Sequence, residues 1–223
     1  MEKEKKTKLS KEEKIELERK RLDSISFYEK KYAGKIVAGI DEAGRGPLAG
    51  CVVAACVVLD PCKEILYLND SKKISEKKRN ELFLEIKDKA LSYGIGIVSE
   101  TIIDKINILN ASKRAMELAY EKCLKSLHEK TGKKIDVLLI DALKLNIEEV
   151  IQEDIIKGDA KSISIAAASI LAKVTRDNIC YKEYDAKYPN YGFAKHKGYG
   201  TKEHLANLKK YGPSPIHRKT FLH

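Results

Sequence analysis

Residues 36–59 read IVAGIDEAGRGPLAGCVVAACVVL, two apolar, β-branched runs joined by a short segment that holds Asp41, Glu42 and the glycines Gly44, Gly46 and Gly50. Runs of this kind predict strands, Lys35–Ile40 and Cys51–Leu59, in a sheet covered on at least one face. Two acids then close the first strand. Taking an ionised carboxylate out of water costs more than one contact returns, unless the group is paired or holds a metal. The glycines that follow let another backbone or a ligand approach closely. The stretch therefore predicts a metal-dependent site on a sheet, and the rest of the chain must supply its other ligands.

Two further acids sit where such a site needs them. Lys134–Ile140 (KIDVLLI) reads as another buried strand and delivers Asp141 at its end. Asp159 precedes the longest helical pattern, whose stripe is Ile163, Ala167, Ile170, Leu171 and Val174. That placement puts Asp159 just before a helix N-terminus, where unpaired amides favour an anion. The remaining pattern predicts a charged helix from Ser10 to about Tyr32, opened by a capping box of Ser10 and Glu13 and docked weakly. It also predicts a helix from Glu76 to about Lys89, a strand Tyr93–Ser99 with close packing over Gly94 and Gly96, and a helical region from Thr101 through Asn107 to about Lys130. Ile151–Lys157 is weakly strand-like, and a short helix runs from Thr201 to about Lys210. We read residues 1–34 as a charged helical extension and 35–223 as one domain.

The net charge of +10 and pI near 9.2 favour a polyanionic partner. The excess lies at the C-terminus: residues 160–223 carry 12 Lys/Arg against 4 Asp/Glu, whereas residues 36–159 carry 19 against 21. The five cysteines form no C-x-x-C pair and read as reduced core residues. Without a signal-type segment or an apolar run long enough to span a bilayer, the expected product is a soluble, cytoplasmic monomer with no membrane partner.

A cluster of Asp41, Glu42, Asp141 and Asp159 would repel itself, raising its own pKa values unless a cation were present. Mg²⁺ or Mn²⁺ suits an all-oxygen ligand set, and the chain has no zinc-type Cys/His spacing. Such a centre in a basic protein suits phosphodiester hydrolysis. Taken singly, each acid also fits a strand end or cap, Gly44-Arg45-Gly46 a tight turn and Tyr199 a loop aromatic. A basic nucleic-acid-binding module with structural acids is the competing reading. His196 and His204 read as ordinary polar residues.

The stretch GIDEAGRGPLAG resembles the signature of the type 2 ribonucleases H, the ribonuclease HII family. The resemblance continues in order through NDSKKIS (69–75), NILNASKRAM (107–116), LLIDALKL (138–145), KGDAKSISIAAASILAKVTRD (157–177), KHKGYGTKEH (195–204) and GPSPIHRKTF (212–221). It implies an α/β, ribonuclease H-like fold: a mixed β-sheet flanked by helices, with a C-terminal helical part. It implies that Asp41, Glu42, Asp141 and Asp159 are catalytic carboxylates and metal ligands for Mn²⁺ or Mg²⁺. It further implies an endonuclease that cuts the RNA strand of RNA–DNA hybrids and incises 5′ to single ribonucleotides in duplex DNA, leaving 5′-phosphates, as in RNA primer removal and ribonucleotide excision repair. Gly44, Arg45 and Gly46 match the motif that reads the 2′-hydroxyl, and Tyr199 the tyrosine that stacks on the junction sugar. Lys72, Lys161 and Ser162 are expected phosphate contacts, with Lys195, Lys197, His217 and Arg218 as further candidates. Cys51 stands where the family usually has proline. Ribonuclease HIII is a poorer match, since that group tends to GKG where this chain has GRG.

Overall fold

The computed structural model describes residues 9–141 and 143–222; the first eight residues of the expected extension, Ala142 and His223 lie outside the described residues. Five strands form one mixed sheet: β1 Val37–Ala43, β2 Val52–Val58, β3 Ser92–Val98, β4 Val137–Asp141 and β5 Ile151–Ile155. Their order is β3-β2-β1-β4-β5, antiparallel from β3 to β1 and parallel from β1 to β5. The fold is the α/β arrangement that the sequence predicts, a mixed sheet flanked by helices.

The helices divide between the two faces. On one lies α4 (Glu100–Thr131), which packs Ala111, Ala115, Met116, Ala119 and Cys123 against Ala38, Ile40, Ala54 and Cys56 of the sheet. Its backbone breaks at Asn107, at φ 65° and ψ 166°, and the Asn107 side chain accepts from the Asn110 amide at 3.1 Å to restart the helix. A Cβ at Gly94 or Gly96 would come within 2.1 Å of an α4 main-chain oxygen, so the expected close packing over β3 is present. On the other face, α3 (Glu76–Lys89) and α5 (Ile163–Ile179) bury Leu82, Ile86, Ala167, Ile170 and Leu171 against Ala55 and Val57. The start of α5 lies directly on β1: a Cβ at Gly39 would sit 2.1 Å from the Ser164 carbonyl carbon. That contact fixes the chain just before α5, and Asp159 with it, relative to the acids of β1.

The N-terminal region differs from the expected single, weakly docked helix. It breaks at Ile25 and Ser26 into α1 (Lys11–Ser24) and α2 (Phe27–Lys31), where the Ser26 hydroxyl bonds back to the Leu22 carbonyl at 2.6 Å. The second piece is anchored. Glu29 Oε1 accepts from the Ser162 hydroxyl at 2.5 Å and the Ser164 amide at 3.0 Å, while Lys31 and Tyr32 both bond to Glu153.

After α5 the chain passes through a π-helical turn, Cys180–Tyr184, and α6 (Asp185–Lys187) to α7 (Phe193–His196) and α8 (Lys202–Tyr211). Tyr191, Phe193 and Ile216 pack on Ala49 in a small separate core, so this C-terminal helical part closes over the segment between β1 and β2. Cys51, Cys56, Cys123 and Cys180 are buried free thiols, and Cys62 is exposed. Among the described residues no helix is long and apolar enough to cross a membrane.

Candidate active site

Sheet register brings the first three acids together. Strand β1 runs through Asp41 and Glu42 to Ala43 rather than stopping before them, because the antiparallel ladder pairs Asp41 with Ala55 and Glu42 with Ala54. Successive side chains leave opposite faces of a strand. Asp41 accordingly lies on the α5 face with Ala55, and Glu42 on the α4 face with Ala54. On the other side, β1 pairs in parallel with β4 up to Ile40 opposite Ile140, so Asp41 and Asp141 each directly follow the last pair of that ladder.

Asp159 arrives from the far side. It sits in a 3₁₀ turn, Gly158–Ala160, and not at the start of α5, which begins four residues later with Ser162 as its cap. The Gly158 amide donates to Asp141 Oδ1 at 2.9 Å, which ties this turn to the end of β4.

The acids feel one another. Burial, then the negative charge of Glu42 and a smaller push from Asp141, hold the Asp41 carboxyl well above the usual carboxylate range, against a hydrogen bond from Ser169. Burial raises Glu42 too, with Arg45 opposing and Asp141 adding to the rise. Asp159 is raised by burial, then by Asp70 and Asp141, against the charge of Lys72. Glu42 Oε2 is buried with no hydrogen-bond partner among the described residues, and its other oxygen reaches Arg45 Nη1 only at 3.5 Å. An orphaned, buried carboxylate oxygen beside other acids is what a cation would satisfy. The donor set is all oxygen, which fits Mg²⁺ or Mn²⁺. Among the described residues no three His, Cys, Asp or Glu side chains form a ready-made cage.

The loop after β1 has a donor surface. Among the described residues, the amides of Gly44, Arg45 and Gly46 make no hydrogen bond. Gly44, at φ 103°, has no room for a side chain: a Cβ there would meet Arg176 Nε at 2.2 Å. Gly46 is open, with only Tyr199 Cε1 near its Cβ position at 3.8 Å. Tyr199 is 43% exposed beside it, so the expected reader loop and the expected stacking ring are neighbours.

Other expected contacts divide. Lys72 is exposed, and its charge acts on both Glu42 and Asp159. Lys161 is exposed at the end of the Asp159 turn. Ser162 is fully buried, its hydroxyl donating to Glu29 and accepting from the Ile165 amide as a helix cap, and so it has no free proton to donate to a phosphate. Lys195 pairs with Glu203, and Lys197 bonds to the Ala194 carbonyl. His217 and Arg218, read from the basic tail as phosphate contacts, are buried. Residues that sequence reasoning missed are Asp70, whose charge helps to raise Asp159, and Ser169, next to Asp41. Asp70 lies within the quoted NDSKKIS segment, which was the available signal.

The histidines, expected to be polar residues rather than ligands, lie buried in one hydrogen-bonded and stacked group. The Ser214 amide donates to His217 Nδ1 at 2.9 Å, leaving the His217 proton on Nε2, which faces His204 Nε2 at 3.0 Å. His204 must then accept there and donate from Nδ1 to the Tyr199 carbonyl at 2.9 Å. His196 stacks on His204 at 4.3 Å between ring centres. Burial, then the charge of His204, holds His217 down at about 4. A histidine whose folded pKa lies below its ordinary 6.5 contributes stability that is present above pH 6.5 and lost as pH falls towards 4. The unfolding midpoint is expected to fall over that window, by about 2 kcal/mol of stability after discounting for water screening. His217→Gln should flatten the fall in thermal melts, and an unchanged slope would remove His217 as its source.

Comparison with known proteins identifies the family. The family described as Ribonuclease HII matches residues 38–223. The ribonuclease HII of Clostridioides difficile strain 630 is 55% identical over 211 residues, which are 93% of this chain and 79% of that protein. Among solved structures, the ribonuclease H2 of Pyrococcus horikoshii OT3 is 28% identical with a TM-score of 0.57, covering 82% of this chain and 92% of that one. The RNase HII of Archaeoglobus fulgidus, solved in complex with PCNA, is 26% identical with a TM-score of 0.60, covering 84% and 96%. A family match over most of the chain, joined to a relative more than half identical, shows that this protein belongs to the ribonuclease HII family of hydrolytic endonucleases.

Proposed function

We propose that the chain incises duplex DNA on the 5′ side of a single embedded ribonucleotide and cuts the RNA strand of RNA–DNA hybrids, leaving 5′-phosphates. The observation that carries this reading is the junction of two features on one strand end: buried, mutually repelling carboxylates and, shortly after them, three consecutive amides with no partner among the described residues. The first feature suits phosphodiester hydrolysis. The second suits a sugar oxygen, and the 2′-hydroxyl is what distinguishes RNA from DNA at one position.

Asp41, Glu42, Asp141 and Asp159 would hold Mg²⁺ or Mn²⁺. When bound, such ions neutralise the phosphate and favour water as the nucleophile. The chain's own part is placement. Gly44, Arg45 and Gly46 offer amides to the ribose, Tyr199 gives an apolar platform for the neighbouring deoxyribose, and Lys72 and Lys161 contact the phosphates beside the acids.

The test is a duplex carrying one ribonucleotide, incubated with Mg²⁺ or Mn²⁺. The expected product is a single nick 5′ to the ribonucleotide, absent from an all-DNA duplex and abolished by chelation. Tight binding without a nick would favour the basic binding module instead.

A further inference from the structure

Two buried cations lie behind the Gly44-Arg45-Gly46 loop. Arg176, on α5, is 1% exposed and Arg218, in the tail, 0%. Neither guanidinium pairs with a carboxylate among the described residues, and their hydrogen bonds there all go to main-chain oxygens. Arg218 donates from Nε to Gly50 at 2.9 Å, from Nη1 to Arg45 at 2.9 Å, and from Nη2 to Gly44 at 2.6 Å and Cys51 at 3.3 Å. Arg176 donates to Cys51 at 3.0 Å, Lys197 at 3.0 Å and Ala49 at 3.2 Å.

Burying a guanidinium without a counter-charge is costly, so its retention needs a return. The return visible here is the shape of the loop. One planar fork collects the carbonyls of Gly44 and Arg45 on one side and anchors them to the start of β2 through Gly50 and Cys51. Among the described residues, the amides of Gly44, Arg45 and Gly46 are left without acceptors. Successive amides free in this way can form a donor site for an oxygen. Arg176 extends the brace: its carbonyl contact at Lys197 and its position 5.9 Å from the Tyr199 ring tie the loop to the tyrosine.

We propose that Arg218 is a positioning residue for sugar discrimination, holding the Gly44 and Arg45 carbonyls inward so that the loop presents amide donors to the 2′-oxygen. This rests on the reading of Gly44-Arg45-Gly46 given above. Lysine cannot replace it, because three donors on one point do not span oxygens that the rigid fork reaches together.

The test uses the full chain and three duplexes that differ in one sugar: ribose, 2′-fluoro-2′-deoxyribose and deoxyribose. Arg218→Lys is expected to lower kcat/KM on the ribose duplex about 30-fold and to shrink the ribose-to-fluoro preference about tenfold, while all-DNA binding changes less than about threefold. A merely structural role would reduce the fraction of folded enzyme and leave the preference intact, which would overturn the proposal. If the unaltered chain cuts ribose and fluoro duplexes alike, the 2′-hydroxyl reading itself fails; if it discriminates and Arg218→Lys discriminates equally, only Arg218 is excluded. Should the variant not fold, ¹⁵N spectra of the unaltered chain decide. Slowly exchanging Arg218 guanidinium protons, with Gly44 and Gly46 amides that shift on adding the ribose duplex and not the all-DNA duplex, are expected. Rapidly exchanging guanidinium protons would overturn the assignment.

Discussion

Replacing Asp41 by Asn is expected to abolish strand cleavage and, in the same protein, to raise the unfolding midpoint measured without divalent ions. Asp41 is 6% exposed and faces the charge of Glu42 and Asp141, with only the Ser169 hydroxyl and the Glu42 amide to offset its own. A buried carboxylate so placed weakens the fold whenever it is ionised. The sign follows from its raised pKa: the folded state binds the proton more tightly, so the penalty is present at neutral pH and relieved as pH falls through the folded value. Asparagine keeps the shape and removes the charge. A gain of about 2 kcal/mol is expected at pH 7, or roughly 4–8 °C for a chain of this size. Activity should drop at least about 10³-fold, since an ion-held phosphate is worth several kcal/mol in the transition state. Mn²⁺ should raise the midpoint of the unaltered chain, by about 2.7 kcal/mol at a hundred times its dissociation constant, and of Asp41→Asn far less. Thermal melts with and without Mn²⁺, beside a nicking assay, check both halves. A variant that is inactive and also less stable would mean that Asp41 serves the fold.

Much of this site was legible because strands announce themselves. The runs around Asp41 and Asp141 are apolar and β-branched, and an acid at the end of each is conspicuous. What periodicity does not show is that β1 and β4 are parallel neighbours; the resemblance implied only a mixed sheet, and the register of Ile40 opposite Ile140 supplies the pairing. The break between α1 and α2 was hidden because Ser26 ends the helix through a local bond to Leu22, and nothing in a thin apolar stripe marks it. Strand β5 reads weakly because it is an edge strand, and its Gln152 turns back to bond the Leu145 and Ile147 main chain. Arg176, Arg218 and the buried histidine group escaped for one shared reason. Charged and polar side chains are usually exposed, so a basic tail reads as a solvated face, whereas these groups turn inward onto carbonyls supplied by distant segments.

Gly46→Ala is the sharpest probe of the loop, because the fold has no objection to it. Its φ is not in the left-handed region, and a methyl group there would meet only the Tyr199 ring edge at 3.8 Å, an ordinary contact. Gly44 is the contrast: at φ 103° and with Arg176 Nε at 2.2 Å and the Cys51 oxygen at 2.9 Å from a Cβ, any side chain there disturbs the backbone and the buried arginine together. Loss of activity in Gly44→Ala would thus leave the cause divided. In Gly46→Ala the added methyl stands on the surface between the unpartnered amides and Tyr199, where the sugar must come close. An ångström of displacement at a reacting group can cost about 100-fold in rate, and a loss of that size in kcat/KM on the single-ribonucleotide duplex is expected. The unfolding midpoint should stay within a few degrees, since nothing buried changes. Binding to all-DNA duplex, which depends on phosphate contacts from the basic face, should be nearly unaltered. If Gly46→Ala cuts at the unaltered rate, Gly44-Arg45-Gly46 is a tight turn and the 2′-hydroxyl is read elsewhere.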